Sequence, residues 1–185
     1  MRDDEAGAGL EVLGDDHVRG SDAAPVTVLA YGDFECPHTR ALELALARVR
    51  RGDPEAFRYV FRHFPLREVH PHAEQAAEAA EAAQALGGAD GYWAMHDALF
   101  GDQQQLDQAD LVRRAEAIGF DGAAFGAALR SRRFMARVER DVRSGEANGV
   151  AGTPSVFING VRYRGARDVA ALRGAIAQAT AGRPA

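Results

Sequence analysis

The sequence pattern that decides the fold changes at residues 31–39, which read Tyr-Gly-Asp-Phe-Glu-Cys-Pro-His-Thr. Before this point, residues 26–31 form a nearly continuous apolar and β-branched run, which is typical of a strand covered on both faces. After it, a proline stands at position 37, where the first turn of a helix tolerates it. Apolar residues then recur at helical spacing, at Leu42, Ala45, Leu46 and Val49. The pattern therefore places Cys36 at the N-terminal end of a helix that directly follows a central strand.

Other strands are predicted on both sides of this unit. Residues 57–64 form a second apolar strand. Far downstream, residues 155–158 and 161–163 flank Asn159-Gly160, the strongest hairpin signal in the chain, which predicts a two-residue type I′ turn. An amphipathic helix is predicted at the C-terminal end. Near the other end we expect a disordered tail at 1–9, a short edge strand at 10–13 and turns at 14–25.

The long middle segment, residues 67–149, predicts helices only. An Ala- and Glu-rich helix opened by Pro71 should stop at Gly87-Gly88, and Gly149 should cap the last helix of the block. The remaining helices are expected at 92–100, 107–118, 122–129 and 133–148.

Composition narrows the functional class. The chain has 185 residues, 46% of them hydrophobic, which is enough to bury a core without a disulfide or a metal. A net charge of −5 argues against binding to nucleic acid, which favours a basic face. No apolar run is long enough to cross a bilayer, and residues 1–9 do not resemble a secretory signal. With a single cysteine, these features lead us to expect a cytoplasmic protein.

The one cysteine is the main candidate for chemistry. The thiolate is the reactive form of cysteine, and a free thiol has a pKa of about 8.5. Unpaired N–H groups at a helix N-terminus, together with a protonated His38, favour the thiolate of Cys36. Asp33 and Glu35 oppose this effect weakly, through water. The alternative is that Cys36 is merely a small buried apolar residue.

Two motifs at a large separation resemble the DsbA branch of the thioredoxin superfamily. They are residues 31–38 and residues 152–160, which read Gly-Thr-Pro-Ser-Val-Phe-Ile-Asn-Gly, and the segments 17–20 and 92–100 are similar as well. The resemblance implies an α/β, thioredoxin-like fold of order β-α-β … β-β-α, with a central mixed sheet flanked by helices. Residues 10–66 and 150–185 would form this domain, and residues 67–149 its all-helical insertion.

The resemblance also assigns roles to residues. Cys36 would be the nucleophile, and His38 would favour its ionised form. Pro154 would be cis and lie against the nucleophile, although spacing alone favours a trans bond. Thr153 would present its backbone to a bound disulfide- or thiol-containing protein or small molecule, and Pro37 would also contact this substrate.

The sequence departs from the family pattern at Thr39, where a second cysteine is usual. Threonine cannot form a disulfide, although its hydroxyl could donate a hydrogen bond to the Cys36 thiolate. The expected activity is therefore thiol-disulfide exchange through one cysteine, whose mixed disulfide is resolved by an external thiol such as glutathione. We expect no bound cofactor or metal. The alternatives are a glutathione-dependent transferase or isomerase of similar fold, in which Thr39 would act, and a non-catalytic binding module.

Several other features favour structural interpretations. The pair His70 and His72 could be metal ligands but is more typical of a helix start. An aromatic stripe is expected in the core, an acidic series on a solvated helix face, and an arginine-rich stretch on a surface interleaved with acids, although that stretch could also bind an anionic thiol. These three groups are Trp93, His96 and Phe100; Glu74, Glu78 and Glu81; and Arg130, Arg132, Arg133, Arg137 and Arg140.

Overall fold

A mixed five-stranded sheet forms the centre of the molecule in the computed structural model, which describes residues 10–182. The predicted tail at 1–9 lies outside the described residues. The strand order is β1-β3-β2-β4-β5, and only β2 and β3 pair in parallel. The strands are β1 (His17–Arg19), β2 (Thr27–Gly32), β3 (Arg58–His63), β4 (Ser155–Ile158) and β5 (Val161–Tyr163).

Helices cover both faces of this sheet, so its central strands carry almost continuous apolar runs. Every regular element described between β3 and β4 is a helix. The helices are α1 (Pro37–Gly52), α2 (Ala73–Gly101), α3 (Gln108–Ala117), α4 (Gly122–Arg130), α5 (Met135–Ala147) and α6 (Val169–Ala181). Among residues 10–182, no helix has both the length and the apolar character that a bilayer crossing requires.

The predicted edge strand was misplaced. Residues 10–13 are irregular, and the edge strand is His17–Arg19, inside the segment predicted as turns. This strand pairs antiparallel with Tyr59–Phe61. Tertiary contacts select it, because the His17 side chain is buried against α2. Leu10 and Val12 pack against an apolar cluster that includes Leu29 and Val60, but they belong to no strand.

The helix predicted to stop at Gly87-Gly88 continues to Gly101 with a break inside it. Gly88 has φ 64° and ψ −157°, outside the helical region, so the chain bends there and resumes as the aromatic-rich half of α2. The predicted type I′ turn is confirmed by the positive φ angles of Asn159 (48°) and Gly160 (80°). Gly149, with φ 71°, follows the C-cap of α5 as predicted.

Candidate active site

Cys36 is the N-cap residue of α1, immediately after the loop that leaves β2. Its side chain is buried, with 3% of its surface exposed, and its Sγ lies 3.6 Å from the backbone oxygen of Thr153. The thiol donates to this carbonyl, and the Thr153–Pro154 peptide bond is cis. β2 and β4 are neighbours in the sheet, so the loop after β2 and the loop before β4 meet at one edge.

The N-terminus of α1 is electrostatically suited to a negative sulfur. No side chain caps this helix, and its first turn contains no acidic residue. Pro37 has no N–H to satisfy, and the first N–H groups of a helix have no intrahelical acceptor. Aligned peptide dipoles place about half a positive charge at this end. Position 36 therefore lies at the positive end of the α1 dipole.

Asp33 organises the loop that carries Cys36. Its carboxylate is buried and accepts three hydrogen bonds, from Glu35 N at 2.7 Å, Leu66 N at 2.8 Å and His70 Nδ1 at 2.8 Å. Its backbone oxygen accepts from Cys36 N at 3.1 Å. The negative charge near the thiol is thus engaged by donors on the loop itself and on the segment after β3.

The structure separates the remaining predicted site residues. Pro37 and His38 are exposed, and His38 lines a cavity of about 500 Å³ along the outer face of α1. Thr39 is completely buried, and its Oγ1 accepts a hydrogen bond from Asp33 N at 3.4 Å. The partner of the Thr39 hydroxyl is therefore the backbone N–H of Asp33 rather than the Cys36 sulfur. The predicted effects of His38 and Thr39 on the sulfur remain predictions.

The cavity beside His38 has a positive rim. Two exposed arginines, Arg48 and Arg167, line it together with apolar residues of α1. Within residues 10–182, neither guanidinium forms an ion pair or hydrogen bond, while Asp168, also in the lining, uses Oδ1 to cap α6. In the arginine-rich stretch, Arg132, Arg137 and Arg140 pair with carboxylates, as expected of a surface interleaved with acids. Arg130 and Arg133 of the same stretch form no ion pair with a residue that the structure describes.

One prediction about the acidic series was wrong. Glu78 and Glu81 are buried, with 0% and 5% exposure, rather than on a solvated face. Glu81 Oε1 accepts from His17 Nε2 at 2.7 Å and from His63 Nε2 at 2.8 Å. Burial by itself raises the pKa of Glu81, but these hydrogen bonds and the two imidazoles outweigh it and hold that pKa below its ordinary value. Periodicity along one helix could not reveal partners that lie on β1 and β3.

These three residues, His17, His63 and Glu81, are also of metal-ligating types, and their ligand atoms lie within 4.8 Å of one another. The two ring N–H groups are already bonded to the carboxylate, and Arg137 Nε lies 3.8 Å from the same oxygen. His63 Nδ1 is buried and has no hydrogen-bond partner among the described residues, whereas a metal-bound imidazole normally donates through its second nitrogen. The arrangement fits a hydrogen-bonded structural triad.

Sequence reasoning also missed Gln103, which donates from Nε2 to the carbonyls of Phe34 and Cys36. A glutamine between helices carries no local signal of such a role. Two structural predictions fared better. Trp93, His96 and Phe100 are buried, with Trp93 and Phe100 in the main apolar core and His96 against the Phe61 ring. His70 and His72 stand at the start of α2, where His72 is the N-cap residue.

Comparisons with known proteins identify the family to which the chain belongs. The thioredoxin family model matches residues 13–178. A Na⁺/H⁺ antiporter NhaA of Salinispora arenicola is 45% identical over 90% of this chain, and one of Mycolicibacterium gilvum is 42% identical over 85% of it. The chain spans only about a quarter of the length of these relatives, 25% in each case.

Solved structures with the same fold include thiol-disulfide proteins. BdbD from Bacillus subtilis superposes with a TM-score of 0.81 at 21% identity, covering 90% of this chain and 94% of that one. The α-DsbA1 protein of Wolbachia pipientis superposes with a TM-score of 0.79 at 20% identity, covering 93% and 94%. The chain therefore belongs to the thioredoxin family and has the fold of its DsbA-like branch.

Proposed function

We propose that this protein is a thiol-disulfide oxidoreductase that works through the single nucleophile Cys36. The observation that carries the proposal is the position of Cys36 Sγ, at the uncapped N-terminus of α1 and 3.6 Å from Thr153 O. Two features support the proposal. The protonated thiol has Thr153 O as a hydrogen-bond acceptor, and the ionised sulfur would face first-turn N–H groups to which no side chain is hydrogen-bonded.

In the proposed cycle, the Cys36 thiolate attacks one sulfur of a substrate disulfide. A bond forms between Cys36 and that sulfur, the substrate S–S bond breaks, and the other substrate sulfur leaves as a thiolate that takes a proton from water. A second thiolate, from a low-molecular-weight thiol, then attacks the substrate sulfur of the mixed disulfide. Cys36 leaves as the thiolate, and the substrate departs as a mixed disulfide with the small thiol. Thr39 cannot take this second role, which makes the external thiol part of the proposal.

We propose that the resolving thiol carries carboxylates, as glutathione does. The cavity that starts at His38 offers two cationic side chains without acidic partners among the described residues, Arg48 and Arg167. Exposed guanidinium groups bind carboxylates in a bidentate manner. A supply of reduced small thiol is a property of reducing compartments, which is consistent with a cytoplasmic location for the proposed cycle.

Turnover of a small disulfide in the presence of glutathione tests this function. The proposal predicts turnover by the natural protein and none by Cys36→Ser. A conjugation assay with a model electrophile separates the transferase alternative, because transfer that survives Cys36→Ser would exclude Cys36 chemistry. Absence of both activities, with an ordinary thiol at position 36, would instead favour a binding module.

A further inference from the structure

A single glutamine side chain connects the helical insertion to the peptide groups around Cys36. Gln103 lies between α2 and α3, and its Nε2 donates to Phe34 O at 2.7 Å and to Cys36 O at 3.0 Å. A primary amide has two N–H groups, so each carbonyl can receive one of them. Both amide N–H groups of Gln103 therefore donate to the loop that carries Cys36.

The carbonyl of Cys36 is held by two donors at once. It accepts from Arg40 N at 3.1 Å, which is the first hydrogen bond of α1, and from Gln103 at 3.0 Å. Fixing this peptide group fixes the direction in which the Cα–Cβ bond of Cys36 leaves the backbone. Arg40 strengthens the same connection, since its Nε donates to Phe100 O at 2.8 Å.

The opposite side of the loop is fixed by Asp33, through Glu35 N and Leu66 N. Asp33 is buried, so replacing it would disturb the core as well as the loop. Gln103 is only partly buried and contacts the loop from the insertion, so it can be changed with less effect on packing. It is the better place to separate positioning of the thiol from stability of the fold.

We propose that Gln103 is a positioning residue that holds Cys36 at the tip of α1 and thereby favours its thiolate. The inference rests on the proposed thiol chemistry. The field of a helix N-terminus falls off within one turn, so the sulfur benefits only while it stays at the N-cap. A loop released on the insertion side would let the thiol move away from that position for part of the time. The helical insertion would then act on reactivity directly.

The test is the pH profile of Cys36 alkylation by iodoacetamide in Gln103→Met, a variant of similar length without donors. The matched control is Gln104→Met, next in sequence and exposed. Loss of the two hydrogen bonds should move the midpoint upward by about half to one pH unit, so the thiolate fraction at pH values well below the midpoint should fall about 3- to 10-fold. The control should follow the natural protein. Thermal unfolding of both variants is measured in parallel.

A second pair of variants separates the loss of hydrogen bonds from a change in packing. Gln103→Glu keeps the shape and replaces donors with acceptors, and it should be at least as impaired as Gln103→Met, whereas Gln104→Glu adds the same charge nearby and should shift the profile less. A midpoint below that of a free thiol in the natural protein, unchanged in Gln103→Met, would overturn the role of Gln103 alone. An ordinary midpoint in the natural protein would overturn both this inference and the proposed function.

Discussion

The sulfur of Cys36 contacts the carbonyl oxygen of Thr153 at 3.6 Å, across a sequence separation of 117 residues. The contact exists because β2 and β4 lie side by side, with Leu29 opposite Phe157 and Tyr31 opposite Ser155. One strand ends just before the thiol and the other begins just after the proline. The sheet register therefore builds the candidate site, and the helical insertion adds a further support to it.

Cys36→Ser should abolish disulfide exchange while leaving the fold intact. A serine hydroxyl can still donate to Thr153 O, so the free energy of unfolding should change by no more than about 1 kcal/mol. Turnover of a small disulfide and urea denaturation measure the two effects. Exchange activity that persists in this variant, whose only thiol is gone, would contradict the proposed nucleophile.

Thr39→Cys should restore an internal resolving thiol. The natural protein, treated with oxidised glutathione, should keep a glutathione adduct on Cys36 because position 39 cannot displace it. In the variant, the new thiolate attacks Cys36 sulfur, glutathione leaves, and an intramolecular disulfide remains. Mass spectrometry distinguishes the two products. A stable adduct on the variant would show that position 39 cannot reach the sulfur.

Arg48→Gln should weaken the use of glutathione without slowing the chemical step. An exposed ion pair contributes up to about 1 kcal/mol, so KM for glutathione should rise by up to about fivefold at unchanged kcat. Arg51→Gln, an exposed arginine on the same helix outside the cavity lining, serves as the control. With 2-mercaptoethanol, which has no carboxylate, Arg48→Gln should match the natural protein. An equal rise in KM for both thiols would argue against carboxylate recognition.

Glu81→Gln should be strongly destabilising. The substitution removes the carboxylate that accepts hydrogen bonds from His17 and His63. The amide that replaces it has one oxygen and one NH2 group, and the NH2 group cannot accept a hydrogen bond from an imidazole N–H. Leaving a buried hydrogen-bond donor without its acceptor costs about 1 to 3 kcal/mol, and more where the lost partner was charged. Urea denaturation should show this loss, while Glu146→Gln, exposed on α5, should change stability little. A loss below about 1 kcal/mol would contradict a structural triad.

The same carboxylate predicts how stability depends on pH. The folded-state pKa of Glu81 lies below its ordinary value, because its hydrogen bonds to His17 and His63 outweigh the cost of burial. A lowered pKa contributes stability that is complete above the unfolded value of about 4.3 and is lost as pH falls toward the folded value. The difference in free energy of unfolding between the natural protein and Glu81→Gln should therefore become smaller below about pH 4. A difference in free energy of unfolding that stays constant down to pH 3 would contradict the lowered pKa.

Local sequence signals predicted the central part of the fold well. The apolar run of β2, the helical spacing after Pro37 and the Asn159-Gly160 turn are short-range patterns, and each corresponds to an element of the structure. The edge strand was misplaced because its selection depends on pairing with β3 and on the burial of His17 against Glu81. His17 and Glu81 lie 64 residues apart, and contacts between such distant residues leave no periodic signal.

In the candidate site too, local motifs were predicted, and the contacts of Asp33 and Gln103 with distant residues were not. Cys36 and Thr153 could be singled out because their motifs are local, even though their contact is not. Asp33 was considered only as a nearby charge, while its structural role depends on Leu66 and His70, on another loop. Gln103 has no motif of its own, and only the path of the insertion brings it to the carbonyl of Cys36.

Because Cys36 is the only cysteine, the alkylation rate of the whole protein as a function of pH reports on this thiol alone. Measured on the folded protein and on the same protein unfolded in urea, it compares the site with an ordinary thiol. A reactive thiolate predicts a folded-state midpoint below pH 7, with the urea-unfolded midpoint near about 8.5. Coinciding midpoints, or a folded thiol that is alkylated only at higher pH, would contradict the account.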